Sequence, residues 1–219
     1  MIKFYSLKMK IVCFIQARMS SKRFPGKVLE KLEKKEVLKY LIERLENKIK
    51  KINVIVLTSN NKTDKKIISF CKKNNYEYKT GSLNNVFSRF KKSLKKLKVD
   101  GFIRITGDSP LIDISLLKKM INLFKKGNHD IVTNVFPRSY PIGQSAELFK
   151  KKIFVDVSEK KLNNFEKEHI SQYFYKNYKK YKIFNFTNSK NSSSKNLSIN
   201  TKSDLLKLRK ILKNKVNNA

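Results

Sequence analysis

The stretch that decides the fold is IVCFIQARMSSKRFPGK, Ile11 to Lys27. It begins with five consecutive apolar residues, Ile11 to Ile15, a run typical of a strand that is buried on both faces of a parallel sheet. A polar loop follows directly and carries two arginines and two lysines: Arg18, Lys22, Arg23 and Lys27. Guanidinium and ammonium groups bind phosphate oxygens, so a strand that leads into such a loop indicates a site for a phosphorylated ligand.

The charge of this basic loop, residues 18–27, needs a separate argument because the whole chain is basic. Lysine and arginine total 51 against 17 aspartates and glutamates, which makes a formal net charge of +34. Charge alone would therefore favour an ordinary solvated surface loop. Arginine, however, occurs only seven times in the chain and twice in this loop, which favours a phosphate site. The phosphate-binding loop of nucleoside triphosphatases and the three-glycine dinucleotide motif are both absent.

Downstream of the loop, apolar runs of strand length alternate with segments whose apolar residues recur at helical spacing. This alternation continues to residue 133 and predicts an α/β fold, a three-layer α/β/α sandwich with a mostly parallel sheet. The predicted strands are 10–16, 53–58, 76–78, 102–105 and 130–133, and Thr80 to Ser82 is predicted to break the chain. In such sheets ligands bind at the carboxyl ends of the strands, so we expect the basic loop, Thr58, Gly81 and Asp108 along one edge.

After residue 133 the pattern is looser. Pro137, Pro141 and Gly143 predict a long loop over 134–144. We then expect strands at 146–149, 182–186 and 197–200, and helices at 150–161, 169–178 and from 201 onward. The domain prediction is a disordered extension at 1–8 and a single domain at 9–219, which divides into a nucleotide-binding core (9–133), a sugar-binding and dimerisation part (134–200) and a C-terminal helix (201–219).

Composition excludes several classes of protein. No apolar run approaches the length needed to span a bilayer, and no signal peptide is evident, so we expect a cytoplasmic protein without membrane contact. Cys13 and Cys71 have no CxxC spacing and are expected to be buried free thiols. The net charge would suit a nucleic-acid partner, but the lysines are spread through every helix and no RNA-binding signature is present, so nucleic acid is not the expected ligand.

Asp108 is the strongest candidate for a metal ligand. It lies in Gly107–Asp113, GDSPLID, directly after a predicted central strand. Mg²⁺ is usually held by one or two carboxylates together with substrate phosphates. The alternative is a turn in which Asp108 bonds its own backbone, and spacing alone does not decide between the two. Asp113 is expected only to cap the next helix.

IQARMSSKRFPGKVL resembles the N-terminal motif of the cytidylyltransferases that make CMP-activated acid sugars, most closely the spore-coat-polysaccharide type, with acylneuraminate and CMP-Kdo enzymes as more distant relatives. Four further segments follow in that family's order: 80–90, 102–113, 133–143 and 168–174. The resemblance implies the nucleotide-diphospho-sugar transferase fold, a Mg²⁺ cofactor, CTP and a sugar acid as substrates, pyrophosphate as a product, and a homodimer.

The resemblance also implies roles for individual residues. Arg18, Lys27 and Asp108 would be catalytic, with Asp108 and Asn200 holding the metal. Nucleotide binding would fall to Gln16, Ala17, Arg18, Ser20, Arg23, Lys27, Gly81 and Arg89. Sugar binding would fall to Arg138, Tyr140, Glu147 and His169.

Three positions depart from the family pattern. Asn200 stands where the family usually has a second metal-binding aspartate, and Ile142 and Ser145 replace two acidic residues. An amide oxygen can ligate Mg²⁺ but carries no charge. The alternative hypothesis is therefore a catalytically weakened or inactive paralogue that still binds nucleotide or sugar.

Overall fold

The computed structural model describes residues 9–217. The predicted disordered extension, residues 1–8, lies outside this range, as do the last two residues of the predicted C-terminal segment. The strands are β1 Ile11–Gln16, β2 Lys31–Leu32, β3 Lys35–Glu36, β4 Asn53–Ser59, β5 Tyr78–Gly81, β6 Gly101–Thr106, β7 Ile131–Thr133, β8 Glu147–Lys150 and β9 Ile183–Asn185. The α-helices are α1 Val37–Lys48, α2 Lys65–Lys73, α3 Val86–Lys95, α4 Ile114–Lys126, α5 Lys151–Asp156, α6 Asn164–Glu168, α7 Gln172–Lys176 and α8 Lys202–Asn217.

Seven of the described strands form one sheet in the order β5-β4-β1-β6-β8-β7-β9. The strand β8 runs antiparallel to both of its neighbours, and the other pairs are parallel. The two short strands β2 and β3 form a separate hairpin that the sequence did not predict. The predicted α/β fold with a mostly parallel sheet is confirmed.

Alternating residues of β1 pack on opposite faces of the sheet, which produces the three layers. Cys13 and Ile15 join the core under α1, α2 and α4. Val12 and Phe14 join an aromatic core under α3, α5 and α7, where Phe14 packs edge-on against Phe90. Each buried phenylalanine side chain contributes roughly 1.5–3 kcal/mol through removal from water. The buried apolar run of β1 is therefore the centre of both cores.

A third core joins the basic loop to the C-terminal helix. Phe24 of the loop packs with Leu32, Val37, Ile199 and two residues of α8, Leu205 and Leu208. Since Phe24 lies between Arg23 and Lys27, its burial in this core anchors the second half of the basic loop to the rest of the protein.

Several predicted boundaries were wrong. The strand expected at 76–78 begins at Tyr78 and runs through Gly81, because Tyr78 to Gly81 pair with Val56 to Ser59. Residues 197–200 form no strand: the N–H groups of Ser198 and Asn200 bond to the side chains of Asn196 and Asp204 instead of a neighbouring strand.

Two predicted helices were also wrong in extent. The helix expected at 150–161 ends at Asp156 and is followed by a short 3₁₀ turn at Glu159–Lys161. The helix expected at 169–178 is shorter, α7 at Gln172–Lys176, and it is preceded by a separate helix, α6 at Asn164–Glu168, that the sequence did not predict. Asn163 and Glu166 form a reciprocal capping box that starts α6.

Both cysteines are free and buried, as predicted, and burial raises the pKa of the Cys71 thiol to about 12.

Across residues 9–217 none of the helices combines the length and the apolar character that a bilayer crossing requires.

Candidate active site

The carboxyl ends of β1 and β6 open into a pocket of about 330 Å³. Parallel pairing of Gln16 with Thr106 brings the two strand ends side by side, so the basic loop after β1 faces the loop after β6. The sequence-predicted residues that line this pocket are Gln16, Ala17, Arg18, Arg23, Lys27, Asp108 and Asn200. Ser21, Lys22 and Thr106 also line it. Four of the lining side chains are cationic, so the pocket suits an anionic ligand.

The basic loop is folded back on itself through the carbonyl of Met19. The backbone N–H groups of Ser21 and Gly26 both donate to that oxygen, at 3.0 and 2.9 Å. Gly26 has φ of +77°, a left-handed conformation in which a side chain would be strained. This turn brings Lys27 into the pocket. It also uses the Ser21 N–H, and Ser20, which the resemblance assigned to nucleotide binding, is exposed and does not line the pocket.

Lys27 is nearly buried, and its ammonium group has three oxygen acceptors. They are the Asp108 carboxylate at 2.5 Å, the Ile199 carbonyl at 2.6 Å and the Asn200 side-chain oxygen at 3.5 Å. The Asn200 amide nitrogen donates to Ser198 Oγ, which orients its oxygen toward Lys27. Lys27 thus joins the two positions that were predicted to hold a metal.

These oxygens are the kind of donor that Mg²⁺ prefers. Within residues 9–217 no group of three or more His, Cys, Asp or Glu side chains is placed to hold a metal ion. The set comprises one carboxylate, one amide oxygen and one backbone carbonyl, gathered around a single cation, the Lys27 ammonium. These donors would suit a magnesium ion only if the ion also took oxygens from a bound substrate and Lys27 released Asp108.

Asp64 is a residue at this site that sequence reasoning missed. Its carboxylate is fully buried and accepts from the Met19 N–H at 2.7 Å and from the Ser59 N–H and hydroxyl at 3.2 and 2.5 Å. It therefore ties the basic loop to the end of β4. The sequence signal that could have identified Asp64 is its position soon after the end of a predicted strand. Its bond to Met19 could not be predicted, because the two residues are 45 positions apart in the chain.

Gly81 and Arg89 are in contact but do not line the pocket. A Cβ on Gly81 would lie 3.0 Å from two Arg89 side-chain carbons, so a larger residue here would have to displace Arg89 by a few tenths of an ångström. Arg89 is 1% exposed, and its Nε and Nη1 have no hydrogen-bond partner among the described residues. Burial lowers the pKa of Arg89 to about 10, an effect that Asp64 opposes and Arg18 reinforces. Buried guanidinium N–H groups without partners are costly and indicate a missing acceptor such as a ligand oxygen.

The structure does not bring the predicted sugar-binding residues into the pocket. Glu147 is buried, with its carboxylate paired to Arg104 at 2.7 Å and to the Tyr175 hydroxyl at 2.5 Å. Arg138 donates to Ser145 Oγ, and Tyr140 lines a separate pocket of about 980 Å³. His169 is exposed and packs against the Phe165 ring.

One contact links the basic loop to the segment that carries His169. Arg18 pairs with Glu168, the neighbour of His169, at 3.4 Å, with both side chains more than 40% exposed. Exposed pairs of this kind contribute little to stability and break readily, so the Arg18 guanidinium is available to a ligand.

Comparison with known proteins agrees with this geometry. The family described as cytidylyltransferase matches the chain over residues 12–218. The spore coat polysaccharide biosynthesis protein SpsF of Bacillus subtilis is 32% identical, over 74% of this chain and 69% of its own. The 3-deoxy-manno-octulosonate cytidylyltransferase of Christiangramia forsetii is 30% identical, over 54% of this chain and 47% of its own.

The structure of a cytidylyltransferase from Leptospira borgpetersenii has the same fold, with a TM-score of 0.83 and 30% identity. The alignment covers 95% of this chain and 96% of that one. The similarity therefore extends through the basic loop, the pocket and the C-terminal helix.

Proposed function

The chain belongs to the cytidylyltransferase family, and from this we propose that it transfers CMP from CTP to a sugar acid and releases pyrophosphate, as a step in the synthesis of a surface glycan. The observation that carries the proposal is the convergence of Arg18, Lys27 and Asp108 on one pocket at the carboxyl edge of the sheet. The sugar-acid acceptor is supported by the names of relatives, one a polysaccharide biosynthesis protein and one a 3-deoxy-manno-octulosonate cytidylyltransferase.

The chemistry requires alignment and charge neutralisation more than proton transfer by the protein. A hydroxyl or carboxylate oxygen of the acceptor attacks the α-phosphorus of CTP, and the bond from that phosphorus to the pyrophosphate oxygen breaks. If the attacking oxygen belongs to a hydroxyl, its proton is released to solvent. Arg18, Arg23 and Lys27 would orient the triphosphate and balance the negative charge that develops on the leaving group. The Arg89 N–H groups that lack partners lie outside the pocket and would donate to the nucleobase only if ligand binding exposed them.

Asp108 and Asn200 would hold the magnesium ion. When bound, the ion neutralises phosphate charge and so favours departure of pyrophosphate. In the structure Lys27 bonds both residues, so its ammonium group would have to exchange these bonds for bonds to phosphate oxygens when the substrate binds.

The test is pyrophosphate release from CTP with a panel of sugar acids, compared with neutral sugar phosphates as acceptors. Arg18→Ala and Asp108→Ala should each lower turnover by about 100-fold, the usual cost of losing a group that stabilises transition-state charge. Lys118→Ala and Asp156→Ala alter exposed charges away from the pocket and should leave turnover unchanged. Equal turnover in the two pocket variants and the wild type would contradict the site, and turnover only with sugar phosphates would contradict the acceptor.

A weakened paralogue is the second candidate, and it is favoured by the uncharged Asn200 side chain that stands beside Lys27 in place of a carboxylate. If Asn200 limits the reaction, the wild type should bind CTP with little turnover, and Asn200→Asp should raise turnover at least tenfold by adding a second carboxylate. In an active enzyme the same substitution should change turnover only slightly. Calorimetry with CTP and the pyrophosphate assay together separate the two.

A further inference from the structure

A chain of four polar side chains runs behind the pocket, from its wall into the protein interior. Arg104 Nε donates to the Gln16 side-chain oxygen at 3.2 Å, and Arg104 Nη1 donates to Glu147 at 2.7 Å. The Tyr175 hydroxyl donates to the other oxygen of Glu147 at 2.5 Å. Of these four side chains, only that of Gln16 lines the pocket.

The inner part of this chain is held rigidly. Glu147 is 4% exposed, and each of its carboxylate oxygens has a partner. Tyr175 stacks on Phe136 with ring centroids 4.4 Å apart and also contacts the Thr133 hydroxyl. Burial and the adjacent Glu147 carboxylate raise the pKa of Tyr175 well above its usual value, so its hydroxyl stays protonated and remains a donor.

The direction of the Gln16 amide follows from hydrogen-bond chemistry. A guanidinium group carries only donors, so the side-chain atom that Gln16 turns toward Arg104 must be its oxygen. The amide nitrogen is then turned away from Arg104, and it has no acceptor among the described residues. Gln16 shares the pocket wall with Arg18, Lys27 and Asp108.

We infer that Arg104 is a positioning residue that, held by Glu147 and Tyr175, fixes the Gln16 side-chain amide nitrogen as a hydrogen-bond donor to an anionic oxygen of the bound nucleoside triphosphate. The inference rests on the proposed function for the identity of the ligand. It also explains why Glu147 is buried away from the pocket: its carboxylate holds Arg104 instead of an acceptor sugar.

The experiment measures the dissociation constant of CTP by calorimetry, without turnover. Gln16→Ala should weaken binding about tenfold, the cost of one charge-assisted hydrogen bond. Gln16→Glu should weaken it further, because the new carboxylate would face the phosphates. Gln172→Glu adds the same charge on an exposed helix residue and should leave the constant unchanged.

Arg104→Lys tests the positioning role. A lysine keeps the charge near Glu147 but lacks the fork that reaches both Glu147 and Gln16. It should weaken CTP binding several-fold in the wild-type background and cause no further loss in a Gln16→Ala background, whereas a purely structural role would lower affinity in both. Tyr175→Phe should show the same dependence on Gln16, and Tyr173→Phe on the same helix should have no effect.

The outcomes separate this inference from the proposed function. Wild-type affinity in Gln16→Ala or Gln16→Glu, or losses that multiply in the double variants, would overturn the inference even if pyrophosphate is released normally. The predicted pattern of dissociation constants without any pyrophosphate release would overturn the proposed function alone. Failure of the wild type to bind CTP would overturn both.

Discussion

Asp64 is a single carboxylate that decides the shape of the basic loop. Its carboxylate accepts one bond from Met19, 45 positions away, and two from Ser59, five positions away. Hydrogen bonds to a buried charge are stronger than neutral ones, and removal of the carboxylate would leave two backbone N–H groups without acceptors. The residue acts on the pocket through the backbone of the loop, without lining the pocket itself.

We therefore expect Asp64→Ala to lower the free energy of unfolding by roughly 2–4 kcal/mol, since it leaves buried donors unpaired. It should also weaken nucleotide binding, because Met19 is part of the basic loop. Chemical denaturation and calorimetry with CTP measure the two effects. Asp156→Ala removes an exposed carboxylate and should change the unfolding free energy by less than about 0.5 kcal/mol. Equal unfolding free energies in the two variants would show that the Asp64 bonds contribute nothing.

Among the larger elements, α8 is the one that supports the basic loop from below. Leu205 and Leu208 pack with Phe24 of the loop and with Leu32 and Val37 of the neighbouring segments. The start of the helix is held by Asp204, whose carboxylate accepts from the N–H groups of Asn200 and Thr201. The same helix start therefore sets the position of Asn200 beside Lys27.

Two leucines of α8 offer a matched comparison. Leu208 is 1% exposed and Leu206 is 54% exposed. Leu208→Ala should cost roughly 2–4 kcal/mol of unfolding free energy because it leaves a cavity under Phe24, and Leu206→Ala should cost less than about 0.5 kcal/mol. Denaturant titration measures both. If both alanines were equally tolerated, α8 would not be part of the packed domain.

At the scale of the whole molecule, charge is the dominant property. The chain carries +34, while the described residues form seven cation–carboxylate pairs within 4.0 Å, most of them on the surface. Surface pairs contribute little, so repulsion among unpaired lysines should exceed attraction. Such self-repulsion destabilises a compact state and is screened by salt.

We accordingly expect the melting temperature to rise between low salt and near-physiological sodium chloride. The rise should be about 2–4 °C for each kcal/mol of repulsion that the salt removes. Chloride is the appropriate anion, because phosphate or sulfate would also bind the basic loop. A melting temperature that falls with added chloride would mean that the ion pairs outweigh the repulsion.

Local patterns in the sequence were sufficient for much of the architecture. The apolar run of Ile11 to Ile15 identified the central strand, and the alternation of strand-length runs with helically spaced segments identified the α/β order, because each pattern depends only on neighbours along the chain. The same holds for the basic loop, whose scarce arginines follow directly after that strand. Asp113 was expected to cap a helix, and its carboxylate does accept from the Ser115 N–H at the start of α4.

The tertiary structure decided what depends on distant partners. The resemblance assigned Lys27, Asp108 and Asn200 to one site. It could not show that the Lys27 ammonium bonds groups up to 173 positions away. It likewise could not show that Glu147, on the one antiparallel strand of the main sheet as described, is buried by Arg104 and Tyr175. Periodicity and composition report which face of an element is buried, whereas side-chain partners are fixed only when the whole sheet and its helices have packed.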